Sequence, residues 1–291
     1  MVTPKLILFD PQKWGTQQRF QHFYSTTYSF DRSTQYSISG SGNHFYKALA
    51  IIEVAKEFSP RLSEDQAEFE EKGYTNSIRS NQLSALIEAS ILEFYSSIDC
   101  TRHVVTTIYK KHRGVKESTR KFFQAVFDDR IAETVPSEIR DAFKAAQWYN
   151  ELRRIRDALT HSDIGSCHLD KTSQTISYMH SGLGDNNRAF VIKDILEYLD
   201  MLKIQVNQFT GEVFKCLNVT ILDKEVKQIC GIFNGFIYSR FVRPSEAINF
   251  SSGRCNAWFD NSAAICPFAD KCDAYNRKIV DHRQVGILVK K

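Results

Sequence analysis

Between positions 44 and 217, apolar residues return at three- and four-residue steps, the period of helices with one buried face. The longest stripe is Leu83, Leu86, Ile87, Ile91, Phe94, Tyr95 and Ile98, which predicts a helix over 76–111. A second stripe runs through Ile139, Ala142, Phe143, Ala146, Tyr149, Leu152, Ile155 and Leu159. It predicts one continuous helix over 136–162, with Pro136 in the first turn, Ser137 as cap and Glu138 near the positive end. A third helix is expected over 189–217, carrying Ile192, Ile195, Leu196, Leu199, Leu202, Val206 and Phe209. Shorter helices are predicted over 44–58, stopped by Pro60, over 63–72, ending at Gly73, and over 117–127.

Elsewhere the period changes. Cys167–Asp170 and Thr175–Met179 flank the polar stretch DKTSQ and predict a β-hairpin, and Gly182–Asn187 reads as a loop. Residues 1–43 read as an N-terminal arm. Its Lys5–Phe9 run is a strand or docking tail, and its aromatics anchor it to a core or stack on bases. Ser37–Asn43, SISGSGN, has linker composition. From about position 221 the chain is mixed and punctuated by glycine. The expected architecture is therefore mainly α: an up-and-down bundle over 44–220 with a small hairpin, preceded by the arm and followed by a C-terminal extension over 221–291.

Composition adds limits. A chain of 291 residues with 42% hydrophobic content can bury a core, and a formal charge of +4 permits a nucleic-acid partner without requiring one. No run approaches the length of a membrane span, and the N-terminus carries no apolar signal core. Seven scattered cysteines, an odd number, fit a reducing compartment better than a disulfide framework. A soluble cytoplasmic protein is the expectation.

The chemistry concentrates at the end of the 136–162 stripe. Arg153, Arg154, Arg156 and His161 occupy its last turns, with Gly165 just beyond. A helix C-terminus favours cations, which accounts for one or two of these charges. A guanidinium can hold a phosphate through two oxygens, and an imidazole can move protons near neutral pH. RNA cleavage by attack of the 2′-OH on its own phosphate requires such groups and no metal.

The segment RDALTH, Arg156–His161, resembles the Arg-x4-His form of the Arg-x4–6-His signature of HEPN domains, helical domains found in ribonucleases of toxin and phage-defence systems. The likeness spans roughly 77–217. It implies a HEPN-like bundle and a metal-independent endoribonuclease leaving a 2′,3′-cyclic phosphate, with Arg156 and His161 as catalytic residues. It also implies a homodimer with its sites at the interface, RNA as substrate, and an antitoxin or defence-system protein as partner. A catalytically silent HEPN domain that binds nucleotide, RNA or protein is the alternative.

Five residues subtend about 140° on a helix, so Arg156 and His161 do not share a face, whereas Arg154 lies within about 20° of His161. Arg156 carries the assignment because the Arg156–Asp157 pair fits the family pattern, and Arg154 stands second. Thr160 and Ser162 offer hydroxyls. YSSIDCTR, Tyr95–Arg102, is similar to the family's polar position on an earlier helix. Asp99 there either orients the later arginine or histidine or pairs with Arg102. The basic run Lys110, Lys111, His112, Arg113, Lys116, Arg120 and Lys121 is a solvated helix end or a phosphate-steering rim.

Cys255, Cys266 and Cys272, spaced C-x10-C-x5-C, resemble the first three ligands of CCCH zinc fingers. Asn276 stands where the fourth ligand belongs, so a structural zinc is not expected unless Cys230 or His282 folds back to complete the set. No cofactor is required for the cleavage reaction.

Overall fold

The computed structural model describes residues 15–161, 164–170, 172–185, 188–233, 235–246, 248–256 and 265–277. Its centre is a pair of long helices, α2 (Arg32–Phe58) and α4 (Ile78–Tyr109). They run antiparallel, since Thr34 meets Thr107, Ser41 meets Thr101 and Phe45 meets Phe94. The stretch expected as a linker, Ser37–Asn43, lies inside α2 and is helical throughout.

Tertiary packing overrides the local preference there. A Cβ on Gly40 would stand 3.0 Å from Cys100 Sγ, and one on Gly42 would stand 3.0 Å from Gln17 Oε1. Each glycine costs about 1 kcal/mol of helix propensity, and the close approach it permits offsets that cost. Ser41 bonds Thr101 at 2.7 Å, and Ser97 Oγ donates to the Ser41 carbonyl at 2.7 Å. All three side chains are fully buried.

Around this pair sit α1 (Thr16–Phe23), α3 (Leu62–Lys72), α5 (Thr119–Phe127) and α8 (Ile195–Val219). Gly73, at φ 76°, ends α3 in the left-handed region that glycine adopts without strain. In α1, Phe20 is fully buried and its ring lies 5.5 Å from that of Phe214 in α8. The residues expected as an arm therefore belong to the bundle from position 16 onward, and α2 crosses position 43 without a break. The Lys5–Phe9 run lies outside the described residues.

The helix expected over 136–162 is two helices, α6 (Ser137–Ala145) and α7 (Tyr149–His161). The chain leaves helical geometry at Ala146, ψ 51°. The apolar stripe continues across the break because Ala146 and Tyr149 both stay buried. Both sides of it touch Phe123 of α5, Phe143 at 4.9 Å and Tyr149 face to face at 3.7 Å, but their further partners differ. Phe143 of α6 meets Phe209 of α8 edge-on at 4.9 Å, whereas Tyr149 of α7 stacks on Tyr95 of α4.

The predicted hairpin is present but larger. Strands β1 (Ser166–Leu169), β2 (Ile176–Asp185) and β3 (Arg188–Ile192) form an antiparallel sheet in that order, Ser166 pairing with Met179 and Ile192 with Tyr178. Most of the expected loop at 182–187 is strand, and α8 starts at Ile195 rather than at 189. Asp194 sets that start, accepting from the Leu196 and Glu197 amides at 3.1 Å.

Beyond α8, β4 (Val226–Phe233), β5 (Phe236–Val242) and β6 (Arg254–Cys255) form a second antiparallel sheet, followed by a helical turn at Asp273–Asn276. Val242 and Ile248 pack with Phe23 of α1. The molecule is thus mainly helical with two small sheets, and no helix among the described residues is long and apolar enough to cross a membrane.

The α2–α4 contact sets a testable expectation. Gly40→Leu should lower unfolding free energy by about 1–3 kcal/mol, read as a reduced urea midpoint. Glu53→Ala, on the exposed side of the same helix, should change it by less than about 0.5 kcal/mol.

Candidate functional site

Helix α7 buries Tyr149, Leu152 and Ile155, which turns its arginines to the two flanks of the buried stripe. On one flank the Arg156 guanidinium lies 4.8 Å over the ring of Tyr95, a residue of α4. On the other, Arg154 lies 5.0 Å over the ring of Phe190 in β3. Cation–π contact holds each flat charge against an aromatic face, with its N–H groups pointing outward from the rim of the plane as donors. Asp157 joins the first flank. Its two oxygens accept separately from Arg153 and Arg156, each at 3.1 Å.

The bed under Arg156 is itself fixed. Tyr95 stacks on Tyr149 with ring centres 6.0 Å apart, and the two hydroxyls lie 3.3 Å from each other. Burial, reinforced by that hydrogen bond, pushes the Tyr149 phenol far above its usual range, so it remains a neutral wall. The stack continues to Phe123 of α5, which ties α7 to both neighbouring helices.

The sequence-predicted residues distribute unevenly over this arrangement. His161 ends α7, exposed and without a hydrogen bond to the described residues. Among the described residues the contacts of Arg156 are to Tyr95 and Asp157, not to His161. Thr160 donates to the carbonyls of Arg156 and Asp157 at 3.1 and 3.0 Å, so its hydroxyl is spent on its own helix. Ser162 lies outside the described residues.

Asp99 does not orient α7. It accepts from Arg102 at 2.8 Å and from the Thr119 hydroxyl. Arg102 is buried and also donates to Thr119, Thr106 and the Glu117 carbonyl. Burial opposes ionisation of Asp99, but the Thr119 hydroxyl and the Arg102 charge outweigh it and hold the carboxyl below its ordinary value. This clamp fastens the start of α5 to α4 and leaves Lys116 and Arg120 exposed on either side of Thr119.

Several positioning residues carry no sequence motif. Glu88 of α4 accepts from the Gly165 amide at 2.7 Å and from the Tyr178 hydroxyl at 2.8 Å. A Cβ at Gly165 would strike the Tyr178 ring at 2.4 Å, so this glycine lets the chain leaving α7 pass beneath β2. Tyr95, Tyr149 and Phe190 form the beds for the arginines. Their aromatic character was visible in the sequence, but their pairing with particular cations was not.

The second candidate set lies in the C-terminal sheet. Cys255, Cys266 and Cys272 line one cavity of ≈ 270 Å³, and Cys230 lines it with them. Among the described residues no group of three or more His, Cys, Asp or Glu side chains stands ready-made to hold a metal ion. Asn276 closes the helical turn, and His282 lies outside the described residues. No family model matches the chain, and neither a curated protein nor a solved structure matches it.

The Asp99 clamp gives a pH-dependent expectation. Asp99→Asn should destabilise the fold by about 1–2 kcal/mol at about pH 7, a figure kept small because half of the carboxylate faces water. The folded carboxyl titrates below its unfolded value of about 3.9, so its stabilisation is present above that value and is lost as pH falls through the folded one. Urea midpoints of wild type and variant should therefore converge between about pH 5 and about pH 2. A gap that stays constant over that span rules out the ionic contribution.

Proposed function

We propose that this chain is a metal-independent endoribonuclease of the HEPN kind, with Arg156 and His161 as its catalytic pair. The observation that carries the reading is the end of α7, where Arg156 lies half-exposed on Tyr95 and His161 stands exposed one turn further on. In this reading Arg156 holds the scissile phosphate through two oxygens and stabilises the charge that builds there. His161 takes the proton from the 2′-OH or gives one to the leaving 5′ oxygen. The ribose hydroxyl is the nucleophile, so neither a protein nucleophile nor a metal enters the step. Lys116 and Arg120 supply a sequence-independent attraction for the RNA backbone.

One imidazole performs one of the two proton transfers. A two-fold dimer with its axis beside the end of α7 supplies the second and sets both copies of Arg156 around one phosphate. The separation of Arg156 from His161 by about 140° on one helix favours such a shared site over one complete within a chain. Activity in a toxin or phage-defence setting, with an antitoxin or companion protein, follows from the family resemblance.

A second reading is a silent domain that binds nucleotide, RNA or protein. Asp157 favours it, because both arginines already face a carboxylate.

Cleavage of a mixed RNA pool in EDTA tests the proposal. Wild type should cut, and Arg156→Ala and His161→Ala should each lose at least about 100-fold in rate. Their urea midpoints should stay near wild type, since His161 is exposed and the cation–π contact of Arg156 contributes only about 0.5–1 kcal/mol. Mixing the two variants should restore part of the activity if the site is shared, and light scattering should give a dimer mass. Loss on Arg154→Ala but not Arg156→Ala would transfer the assignment. Binding without cleavage, weakened by Arg156→Ala, would establish the silent reading instead.

A further inference from the structure

Away from Val242 and Ile248, which pack on Phe23 of α1, the C-terminal sheet buries little apolar material. Its inner cluster has two buried side chains, Tyr238 and Cys255, with Phe233, Cys266 and Tyr275 partly buried against them. Ile229, Ile232, Ile237, Phe250, Ile265 and Phe268 are exposed. Small elements of this kind are usually fastened by a disulfide or a metal.

Four of the seven cysteines converge on this cluster. Cys230 stands at a β-bulge, where the β4–β5 register shifts between Ile229 and Gly231. A bulge re-aims a side chain that regular pairing would send elsewhere, and Cys230 lines the cavity. Cys255 reaches the same cavity from β6, opposite Arg240 of β5. Cys266 and Cys272 bracket a tight turn in which the Ala269 amide donates to the Cys266 carbonyl and the Lys271 amide to the Phe268 carbonyl. That turn carries the chain back on itself, so both thiols face one space.

We propose that Cys230, Cys255, Cys266 and Cys272 bind one Zn²⁺ ion, which fastens the C-terminal sheet. The ligand chemistry selects the ion. Thiols line the cavity and no carboxylate does, so it suits a thiophilic cation such as Zn²⁺ and not Mg²⁺ or Ca²⁺. Each thiol releases its proton to solvent as its sulfur takes the ion, giving a tetrathiolate complex of net charge −2. Arg240, buried on the same wall, supplies part of the compensating charge.

At ≈ 270 Å³ the cavity is wider than a tetrathiolate with metal–sulfur bonds of about 2.3 Å requires. Among the described residues no three of these thiols are already set to hold one ion together, so the ion must draw the 266–272 turn and the bulge inward. Cys230 fills the place that Asn276 leaves empty in the local spacing. This inference is independent of the reading of α7.

The test uses the full chain, purified without chelator and under reducing conditions. Elemental analysis should find about one zinc per chain. Cys230→Ser, Cys255→Ser, Cys266→Ser and Cys272→Ser should each cut that content at least about threefold, whereas Cys216→Ser in α8 and His22→Gln at the cavity wall should keep it. Chelator-stripped wild type given Co²⁺ should develop the visible bands of a tetrahedral site and thiolate charge-transfer absorption, a readout that needs no variant to fold. The proposal is overturned by wild type that takes up neither zinc nor cobalt with its thiols reduced. Zinc retained in Cys230→Ser overturns it equally, as does an octahedral cobalt spectrum.

Discussion

The close approach of α2 to α4 is the constraint on which the remaining packing depends. It exists because Gly40 and Ser41 present almost no side chain where the two helices meet, while Gly42 gives the same clearance to Gln17 of α1. Serine and threonine hydroxyls then satisfy one another across the seam, Ser41 with Thr101 and Ser97 with the Ser41 carbonyl. With α4 fixed against α2, its opposite face is free to receive α5, α7 and the first sheet. Ser80 and Ser84 of α4 meet Cys167 of β1, and Glu88 meets Tyr178 of β2.

The arginine-bearing flank inherits its geometry from that arrangement through rings. Phe123, Tyr149 and Tyr95 stack in series from α5 through α7 to α4, and Arg156 lies on the last ring. A shift of α5 would be transmitted along this stack, which is why the Asp99–Arg102–Thr119 clamp at the start of α5 matters beyond its own hydrogen bonds. The clamp fixes one end of the series and α4 fixes the other.

Sequence pattern made α3, α4 and α5 legible because their signals are local: a steady period, a glycine stop and a turn of phenylalanines facing inward. It failed at Gly40 and Gly42, where the same residues mean a loop by composition and a close helix contact by packing. It failed again at β3, since Val191, Ile192, Ile195 and Leu196 keep helical spacing while the chain passes from strand to helix. The break after Ala145 was invisible because the apolar stripe crosses it intact. At the candidate site the basic cluster could be read directly, but Tyr95 and Phe190 come from distant elements, and only the fold pairs them with Arg156 and Arg154. No spacing rule places Cys230 in one cavity with the later cysteines, because it comes from β4, far from them in sequence.

Asp157 has a further consequence. Its two oxygens, each taken by a different guanidinium, hold Arg153 and Arg156 at the separation that one planar oxyanion imposes. The carboxylate therefore acts as a spreader, keeping two charges of one helix at a set span. On the proposed reading, a phosphate would dock there by exchanging one anion for another, with the displaced carboxylate still tethered at the rim.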